Sequence, residues 1–158
     1  MKKVPLTIRG TERMREEIRS LKTEARPRVI QAIAEARAHG DLKENAEYHA
    51  AKEEQGFIEG RIRERETQLS NAEVIDVTRL VGNTKVLFGA TVSLVDEADG
   101  KASRYQIVGE YEADMKQGLI SITSPLARAL IGKSEGDVAS FTVPGGDKNM
   151  EIVRVEYL

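Results

Sequence analysis

The sequence contains no cysteine and no tryptophan. Without cysteine, disulfide frameworks, thiolate zinc sites and thiol nucleophiles are all excluded. Aromatic residues make up only 4% of the 158 residues, which disfavours an aromatic-lined pocket for a small-molecule substrate. These absences disfavour an enzyme with its own enclosed pocket and favour a function that depends on surface residues.

Long apolar runs are missing as well. The first residues, Met1–Pro5, carry charge but lead into no apolar segment of the kind that a secretion signal needs, and no run is long enough to cross a bilayer. The net charge is only -2, so no strong basic field indicates independent binding to duplex DNA. We expect a soluble, cytoplasmic protein with no membrane partner.

The first half of the sequence predicts a helical hairpin. Between about residues 12 and 39, and again between about residues 42 and 71, apolar residues recur in steps of three and four, which is typical of helices packed along each other. Pro27 predicts a kink and non-helical geometry at Arg26, and Gly40 predicts the end of the first helix. The apolar positions are Met14, Ile18, Leu21, Ala25, Val29, Ala32 or Ile33 and Ala36, then Ala46, Ala50, Phe57 or Ile58, Ile62, Leu69 and Ala72.

The second half predicts a small sheet. Five segments rich in β-forming residues are separated by turn signals. Ser124 as N-cap, Pro125 at the first helical position and Gly132 as a stop predict one short helix. We therefore predict an α+β protein with two domains: a long antiparallel coiled-coil hairpin over residues 1–76, with its tip at 39–45, and a sheet domain over 77–158. The strand segments are 85–95, 103–109, 119–123, 138–143 and 150–157.

Asp41 and Glu44 are the most informative residues, because they bring two carboxylates to the turn between the helices. One interpretation is a capping box, with Asp41 as N-cap and Glu44 at the third position of the second helix. The other is a half-site for Mg²⁺, a hard cation that prefers oxygen ligands and needs more of them than two side chains supply. The two interpretations are compatible.

Other side chains near the tip have alternative roles. His39 and His49 form a weak zinc signal and fit surface or packing roles better. Tyr48 fits stacking on a base and packing across the hairpin equally well. Arg37 and Lys52 lie on opposite arms. Most such residues are solvated surface residues, but beside this tip they could contact a phosphate backbone.

Several segments of the sequence, including the predicted tip, resemble a known protein family. The segments 5–10, 32–37, 40–51, 55–57, 59–62, 69–72, 88–92, 124–128 and 155–158 resemble the bacterial transcript cleavage factors of the GreA/GreB family over essentially the whole chain. Leu42 and the stretch 55–57 resemble the less basic of the family's two branches. The tip shows no departure from the family motif, which disfavours the family's inhibitory relatives.

The resemblance implies an FKBP-like second domain and a transcription elongation factor without independent catalytic activity. It implies that the coiled coil enters the secondary channel of RNA polymerase, where Asp41 and Glu44 help place a Mg²⁺ shared with the polymerase active site. Arg37 and Lys52 match the basic patch that touches the nascent RNA 3′ end. The loop leading into Ser124 and Pro125 matches the part that grips the channel rim. The family implies no cofactor of its own and a monomer in solution.

Two other functions remain open. A structural module that dimerises through its coiled coil requires the apolar seam to be shared between chains. A prolyl isomerase or chaperone is suggested by the FKBP-like half, although that half has only five aromatic residues, some of which the core needs.

Overall fold

The structure, a computed structural model, describes residues 2–158. Their contacts divide them into two units. Lys2 and Thr11–Ala72 form the first, and Lys3–Gly10 with Glu73–Leu158 form the second. The predicted architecture of a helical hairpin followed by a mostly antiparallel sheet with one short helix is confirmed.

The hairpin is built from three α-helices and one π-helical turn. Helix α1 spans Ile8–Ser20, the π-helical turn spans Leu21–Ala25, helix α2 spans Arg26–Arg37, and helix α3 spans Ala46–Ser70. The first helix thus begins several residues before the predicted start at residue 12, and the last begins four residues after the predicted start at Leu42.

The irregularity that Pro27 predicts is present as the π-helical turn just before it. Proline has no N–H, and its ring crowds the carbonyl one turn earlier in a regular α-helix. Widening the preceding turn relieves this crowding, and the N–H of Arg26 bonds to the carbonyl of Leu21, five residues back. Arg26 itself stays helical, with φ -60° and ψ -50°, so the predicted non-helical geometry at Arg26 is wrong.

The apolar seam of the hairpin is mostly where the sequence predicts it. Its buried residues are Met14, Val29, Ala36, Ala51, Ile58 and Ile62. Ile58 rather than Phe57 faces the partner helix, and Phe57 is 71% exposed. Ala50, also predicted in the seam, is exposed, while Ala51 beside it is buried.

Ion pairs between the arms fix their antiparallel order. The carboxylate of Glu17 lies 2.5 Å from Nε of Arg61 and 3.1 Å from Nε of Arg65. Nearer the tip, Nη2 of Arg26 lies 2.7 Å from the carboxylate of Glu59. The residue closer to the tip on one arm therefore meets the residue closer to the tip on the other. The side chain of Arg65 is only 13% exposed, so its ion pair with Glu17 is partly shielded from solvent.

Outside the hairpin, residues 2–158 contain seven strands and one short α-helix. In chain order they are β1 Val4–Thr7, β2 Ala72–Ile75, β3 Thr91–Asp96, β4 Ala102–Val108, β5 Leu119–Ser121, helix α4 Pro125–Leu130, β6 Val138–Val143 and β7 Gly146–Glu156. The second unit is organised around a five-stranded sheet in the order β5-β4-β3-β7-β6. Within this sheet β4 and β5 are parallel, and every other neighbouring pair is antiparallel. The strands β1 and β2 form a separate two-stranded sheet.

Aliphatic side chains from the sheet and α4 fill the core of this unit, and the fully buried members include Leu94, Ile107, Leu130 and Ile152. Tyr157 lies 3% exposed at its edge. Its hydroxyl accepts a hydrogen bond from the N–H of Leu87 and donates one to the carbonyl of Lys85, so both of its bonding capacities are used.

Candidate functional site

The hairpin tip consists of residues 38–45, between the end of α2 at Arg37 and the start of α3 at Ala46. Gly40 has a φ of 114°, a conformation that residues with a Cβ rarely adopt. The N–H of Gly40 closes the end of α2 by bonding to the carbonyl of Arg37 at 3.4 Å. This turn reverses the chain within eight residues and leaves the residues from Asp41 to Glu44 exposed.

Asp41 organises the turn around itself. Its Oδ1 accepts a hydrogen bond from the N–H of Lys43 at 2.9 Å, which is the Asx-turn that aspartate commonly forms. The carbonyl of Lys43 in turn lies 3.1 Å from Nε2 of His49 on helix α3. The Lys43 peptide segment is therefore held from both sides, and Asp41 has a defined place in the exposed turn.

Asn45, rather than Asp41, is the N-cap of the last helix. Its Oδ1 accepts a hydrogen bond from the N–H of Tyr48 at 3.0 Å, and its Nδ2 donates to the carbonyl of Ala36 at 2.5 Å. The capping box expected from Asp41 and Glu44 is therefore wrong, because both precede the helix and the capping bond comes from Asn45. The half-site interpretation of the two acids is untouched by this correction.

The basic residues flank the tip on opposite arms, as the sequence predicts. Arg37 ends α2, and its guanidinium carbon lies 6.0 Å from the ring centroid of Tyr48. Tyr48 also meets His49 edge-on at 5.6 Å between ring centroids, so it packs within the hairpin. Lys52 is exposed on α3 and donates to Gln55 at 3.3 Å.

The two histidines stand apart from each other in their contacts. Nδ1 of His39 lies 3.7 Å from Oε2 of Glu47, whereas His49 contacts the carbonyl of Lys43. Over residues 2–158, no three histidine, aspartate or glutamate side chains come together in a way that could hold a metal ion. The chemistry available at the tip is therefore that of two exposed carboxylates, which fit an oxygen-preferring cation completed by ligands from another molecule.

A second candidate surface lies in the sheet unit, beside α4. Ser124 caps this helix by accepting the N–H of Ala127 at 3.2 Å, and Pro125 begins it, as predicted. Both line an open groove of about 630 Å³ whose other walls are mainly apolar, including Tyr105, Met115, Phe141 and Met150. Met115 is 66% exposed there.

Sequence reasoning missed Asn45 at the tip and Met115 and Phe141 in the groove. Asp41 is an equally good N-cap by intrinsic preference, so nothing local favoured Asn45. The groove residues come from segments far apart in sequence and are brought together only by the sheet. A signal existed for Met115, a large apolar residue between the charged residues Asp114 and Lys116.

Comparison with models of known protein families identifies the family to which the chain belongs. The model described as "Transcription elongation factor, N-terminal" matches residues 4–74, and the model described as "Transcription elongation factor, GreA/GreB, C-term" matches residues 81–157. The chain belongs to the GreA/GreB family of transcription elongation factors. Both the tip and the α4 groove lie inside the matched ranges.

Curated relatives in the GreA/GreB family match at full length. Proteins named transcription elongation factor GreA from Alkalilimnicola ehrlichii and Methylococcus capsulatus are each 65% identical, covering 99% and 100% of both chains respectively. A third, from Thioalkalivibrio sulfidiphilus, is 64% identical over all 158 residues. These names agree with the family branch that Leu42 and residues 55–57 predict.

Solved structures of this family are also similar to the chain. The GreA factor homolog 1 (Gfh1) of Thermus thermophilus is 28% identical with a TM-score of 0.44, covering 98% of this chain and 99% of that one. GreA/GreB from Nitrosomonas europaea is 24% identical with a TM-score of 0.44, covering 98% of this chain and 100% of that one.

None of the helices within residues 2–158 has the length and apolar character needed to cross a membrane.

Proposed function

We propose that this transcription elongation factor binds RNA polymerase and stimulates the polymerase's own endonucleolytic cleavage of backtracked nascent RNA, which rescues arrested elongation complexes. The observation that carries the proposal is the pair Asp41 and Glu44, exposed in a defined turn at the end of a long helical hairpin. The family match over nearly the whole chain supports it.

The hairpin delivers the acids, and the polymerase performs the reaction. The coiled coil enters the polymerase secondary channel with the tip foremost, so that Asp41 and Glu44 complete a site whose remaining ligands belong to the polymerase. A Mg²⁺ held in such a shared site would lower the pKa of a bound water and stabilise the oxygens of an in-line displacement. The carboxylates of Asp41 and Glu44 would help to hold the cation and to orient the attacking water towards the scissile phosphate.

The products follow from phosphodiester hydrolysis. The water oxygen forms the new bond to phosphorus, and the bond to the 3′ oxygen of the upstream nucleotide breaks. The upstream RNA keeps a 3′ hydroxyl in the active site, from which elongation restarts. The factor itself gains and loses no covalent bond, in keeping with its role as a factor rather than an enzyme.

Two further surfaces assist. Arg37 and Lys52 contact phosphates of the extruded RNA 3′ segment, as exposed cations on either side of the tip can. The groove beside Ser124 and Pro125 binds the rim of the secondary channel, and its mainly apolar walls support a role in protein binding. The factor acts as a monomer in the cytoplasm, where the polymerase is.

The acids are tested by Asp41→Asn combined with Glu44→Gln. Both changes keep side-chain shape and remove negative charge, and neither residue caps a helix, so the hairpin should stay folded. We expect the variant to compete with the native factor for polymerase but to stimulate cleavage about a hundredfold less, as loss of an electrostatic transition-state contact typically does. The measurement is release of short RNA from a stalled, 3′-labelled elongation complex. Normal cleavage by the variant would refute the shared-site mechanism.

The groove is tested by Met115→Asp, which places a charge at an exposed position of an apolar surface. Val81→Asp is the matched control, because Val81 is 69% exposed and does not line the groove. We expect Met115→Asp to raise the concentration needed for half-maximal cleavage at least tenfold and Val81→Asp to leave it nearly unchanged. Equal effects of the two variants would place docking elsewhere.

A further inference from the structure

Asn45 is the one side chain of the turn 38–45 seen to hydrogen-bond both arms of the hairpin. Its Nδ2 donates to the carbonyl of Ala36 on α2, and its Oδ1 accepts from the N–H of Tyr48 on α3. Ala36 is 3% exposed, and Asn45 is half-buried. The residue thus joins the end of one helix to the start of the next, beneath the exposed turn.

We infer that Asn45 is a positioning residue, which holds the acid-bearing turn in the arrangement that the polymerase active site requires. The inference rests on the proposed function, because it assigns Asn45 a part in the work of Asp41 and Glu44. Glu44 directly precedes Asn45 in sequence, so the backbone that places Glu44 is fixed wherever Asn45 is fixed. Asp41 is linked to the same frame through Lys43, whose carbonyl contacts His49 on α3.

The cross-link requires an amide. The carbonyl of Ala36 also accepts the N–H of His39, so the bond from Asn45 is its second. To join the two arms, one side chain must donate to this carbonyl and at the same time accept the N–H of Tyr48. Aspartate and serine are equally good helix caps, but capping uses only the acceptor. Aspartate would turn a carboxylate oxygen towards the Ala36 carbonyl, and the serine hydroxyl ends one atom short of the position of Nδ2. Capping and cross-linking can therefore be separated by substitution.

Positioning should affect the reaction more than binding. The acids act only if their oxygens reach the shared site in the correct geometry, and misplacement by about 1 Å can reduce a rate on the order of a hundredfold. Binding to the polymerase depends on surfaces elsewhere in the chain. Loss of the cross-link should therefore lower the maximal cleavage rate and leave the half-saturating concentration of factor unchanged.

The experiment compares Asn45→Asp, Asn45→Ser and Asn45→Ala in the full chain. Cleavage of a stalled, 3′-labelled elongation complex is measured over a range of factor concentrations. Helix content and the unfolding midpoint of each variant are measured by circular dichroism. Asp and Ser keep the cap, so their folds are expected to match the native one, whereas Ala loses the cap as well. Asn45→Ser controls for the charge that Asn45→Asp adds.

We expect the Asp and Ser variants to lose at least tenfold in maximal cleavage rate, with native helix content and an unchanged half-saturating concentration. Native cleavage by both, with loss only in Asn45→Ala, would make Asn45 a helix cap and overturn the inference. A raised half-saturating concentration at a native maximal rate would also overturn it, since Asn45 would then act in binding. The Asp41→Asn, Glu44→Gln variant is measured alongside. If that variant is inactive while the Asn45→Asp and Asn45→Ser variants cleave at the native rate, the inference fails and the proposed function stands. If the Asp41→Asn, Glu44→Gln variant is active, both the inference and the proposed function fail.

Discussion

The two tip acids differ in how firmly the surrounding residues hold them. Asp41 uses Oδ1 to accept the N–H of Lys43, and within residues 2–158 its Oδ2 shows no contact that competes with a ligand. Glu44 is exposed, and its longer side chain has more rotamers to lose on binding. Under the proposed function, Asp41 would therefore offer a preset oxygen, whereas Glu44 would adapt its side chain when the tip meets the polymerase. This division suits a half-site that must be completed by a second molecule.

The basic flank leads to a prediction about salt. Changing Arg37 and Lys52 together to Ala should weaken RNA cleavage and make it less sensitive to salt, because each lost phosphate contact removes about 0.7 from the slope of log affinity against log salt for a single strand. The fold should be retained, since both side chains are exposed. Cleavage rates across a potassium chloride series measure the slope.

The control for this prediction is Arg28→Ala with Arg63→Ala, which removes two exposed cations from the same two helices, farther from the tip. That variant should keep the native salt slope. If the two double variants behave alike, Arg37 and Lys52 are ordinary solvated residues and the RNA contact assigned to them is wrong.

At the residue scale, the position of the acids could be predicted from the sequence, but the capping residue could not. Gly40 and the interruption of the apolar period mark the turn locally, and Asp41 and Glu44 lie next to them. Asp41 and Asn45 are comparable N-caps by intrinsic preference. The choice is made by the bond from Asn45 to Ala36, nine residues away on the other arm, and local patterns carry no information about it.

At the scale of elements, the hairpin combines a thin apolar seam with ion pairs across its edges. Few large side chains are buried between the arms, with Val29, Ile58 and Ile62 forming the main cluster. The pair Arg26–Glu59 adds two hydrogen bonds, at 2.8 and 2.7 Å, which Nε and Nη2 of the guanidinium donate to the two oxygens of one carboxylate. Such bidentate geometry is what gives a partly exposed ion pair measurable strength.

This pair makes the stability of the hairpin depend on pH. The hydrogen bond from Arg26 is the main cause that holds the pKa of Glu59 below its ordinary value of 4.5. A carboxyl whose pKa is lower in the folded state stabilises the fold above its unfolded pKa, and this stabilisation is lost as the pH falls through the lowered pKa. Glu59→Gln should therefore lower the unfolding midpoint near pH 7, and the difference from the native chain should shrink below about pH 4.5.

Circular dichroism of the helices against temperature, at several pH values, measures the difference. Glu53→Gln on the same helix is the matched control, since Glu53 is exposed and its removal should change the midpoint little at any pH. A Glu59→Gln difference that stays constant down to about pH 3 would show that the ion pair contributes nothing through its charge.

Sequence patterns located the helices of the hairpin, the five strands of the larger sheet and α4, but they missed β1 and several boundaries. The stretch 85–95 predicts one strand, yet β3 begins only at Thr91. The earlier residues follow a different course, with Lys85 bridging to Ser134 and Gly89 at a φ of 89°. A Cβ at Gly89 would overlap the side chain of Val77, so this bend depends on packing against a segment outside the stretch. Periodicity within a stretch cannot report such a contact.

At the scale of the whole molecule, the start of the chain belongs with its second half. Residues 3–10 pack with residues 73–158, although they precede the hairpin in sequence. Glu112 is central to this arrangement. Its carboxylate accepts the N–H and the hydroxyl of Thr7, at 2.8 and 2.5 Å, and the N–H of Gly109 at 2.9 Å. A Cβ at Gly10 would overlap the same carboxylate, so this close approach requires glycine.

The predicted functional boundary near residue 76, with cleavage chemistry before it and docking after it, stays a prediction. The contacts of Thr7 and Glu112 affect how it should be tested. A fragment that begins at residue 77 lacks Thr7 and leaves the carboxylate of Glu112, which is 9% exposed, without two of its hydrogen bonds. A failure of that fragment to bind polymerase could then reflect lost stability rather than a wrong division of labour.

The contribution of this contact is measurable by a change at Glu112. In the full chain, Glu112→Gln removes a charged acceptor from two N–H groups and one hydroxyl, and hydrogen bonds to a charged group contribute about 1.5 to 3 kcal/mol each to the free energy of unfolding. We expect a loss on the order of 2 kcal/mol or more, with the sheet unit melting at lower urea. In the fragment 77–158, where Thr7 is absent, the same substitution should cost less. Urea unfolding followed by near-ultraviolet circular dichroism of the sheet unit's tyrosines compares the four proteins. An equal cost in full chain and fragment would mean that Thr7 and Glu112 are not coupled, and that the sheet unit is complete without residues 3–10.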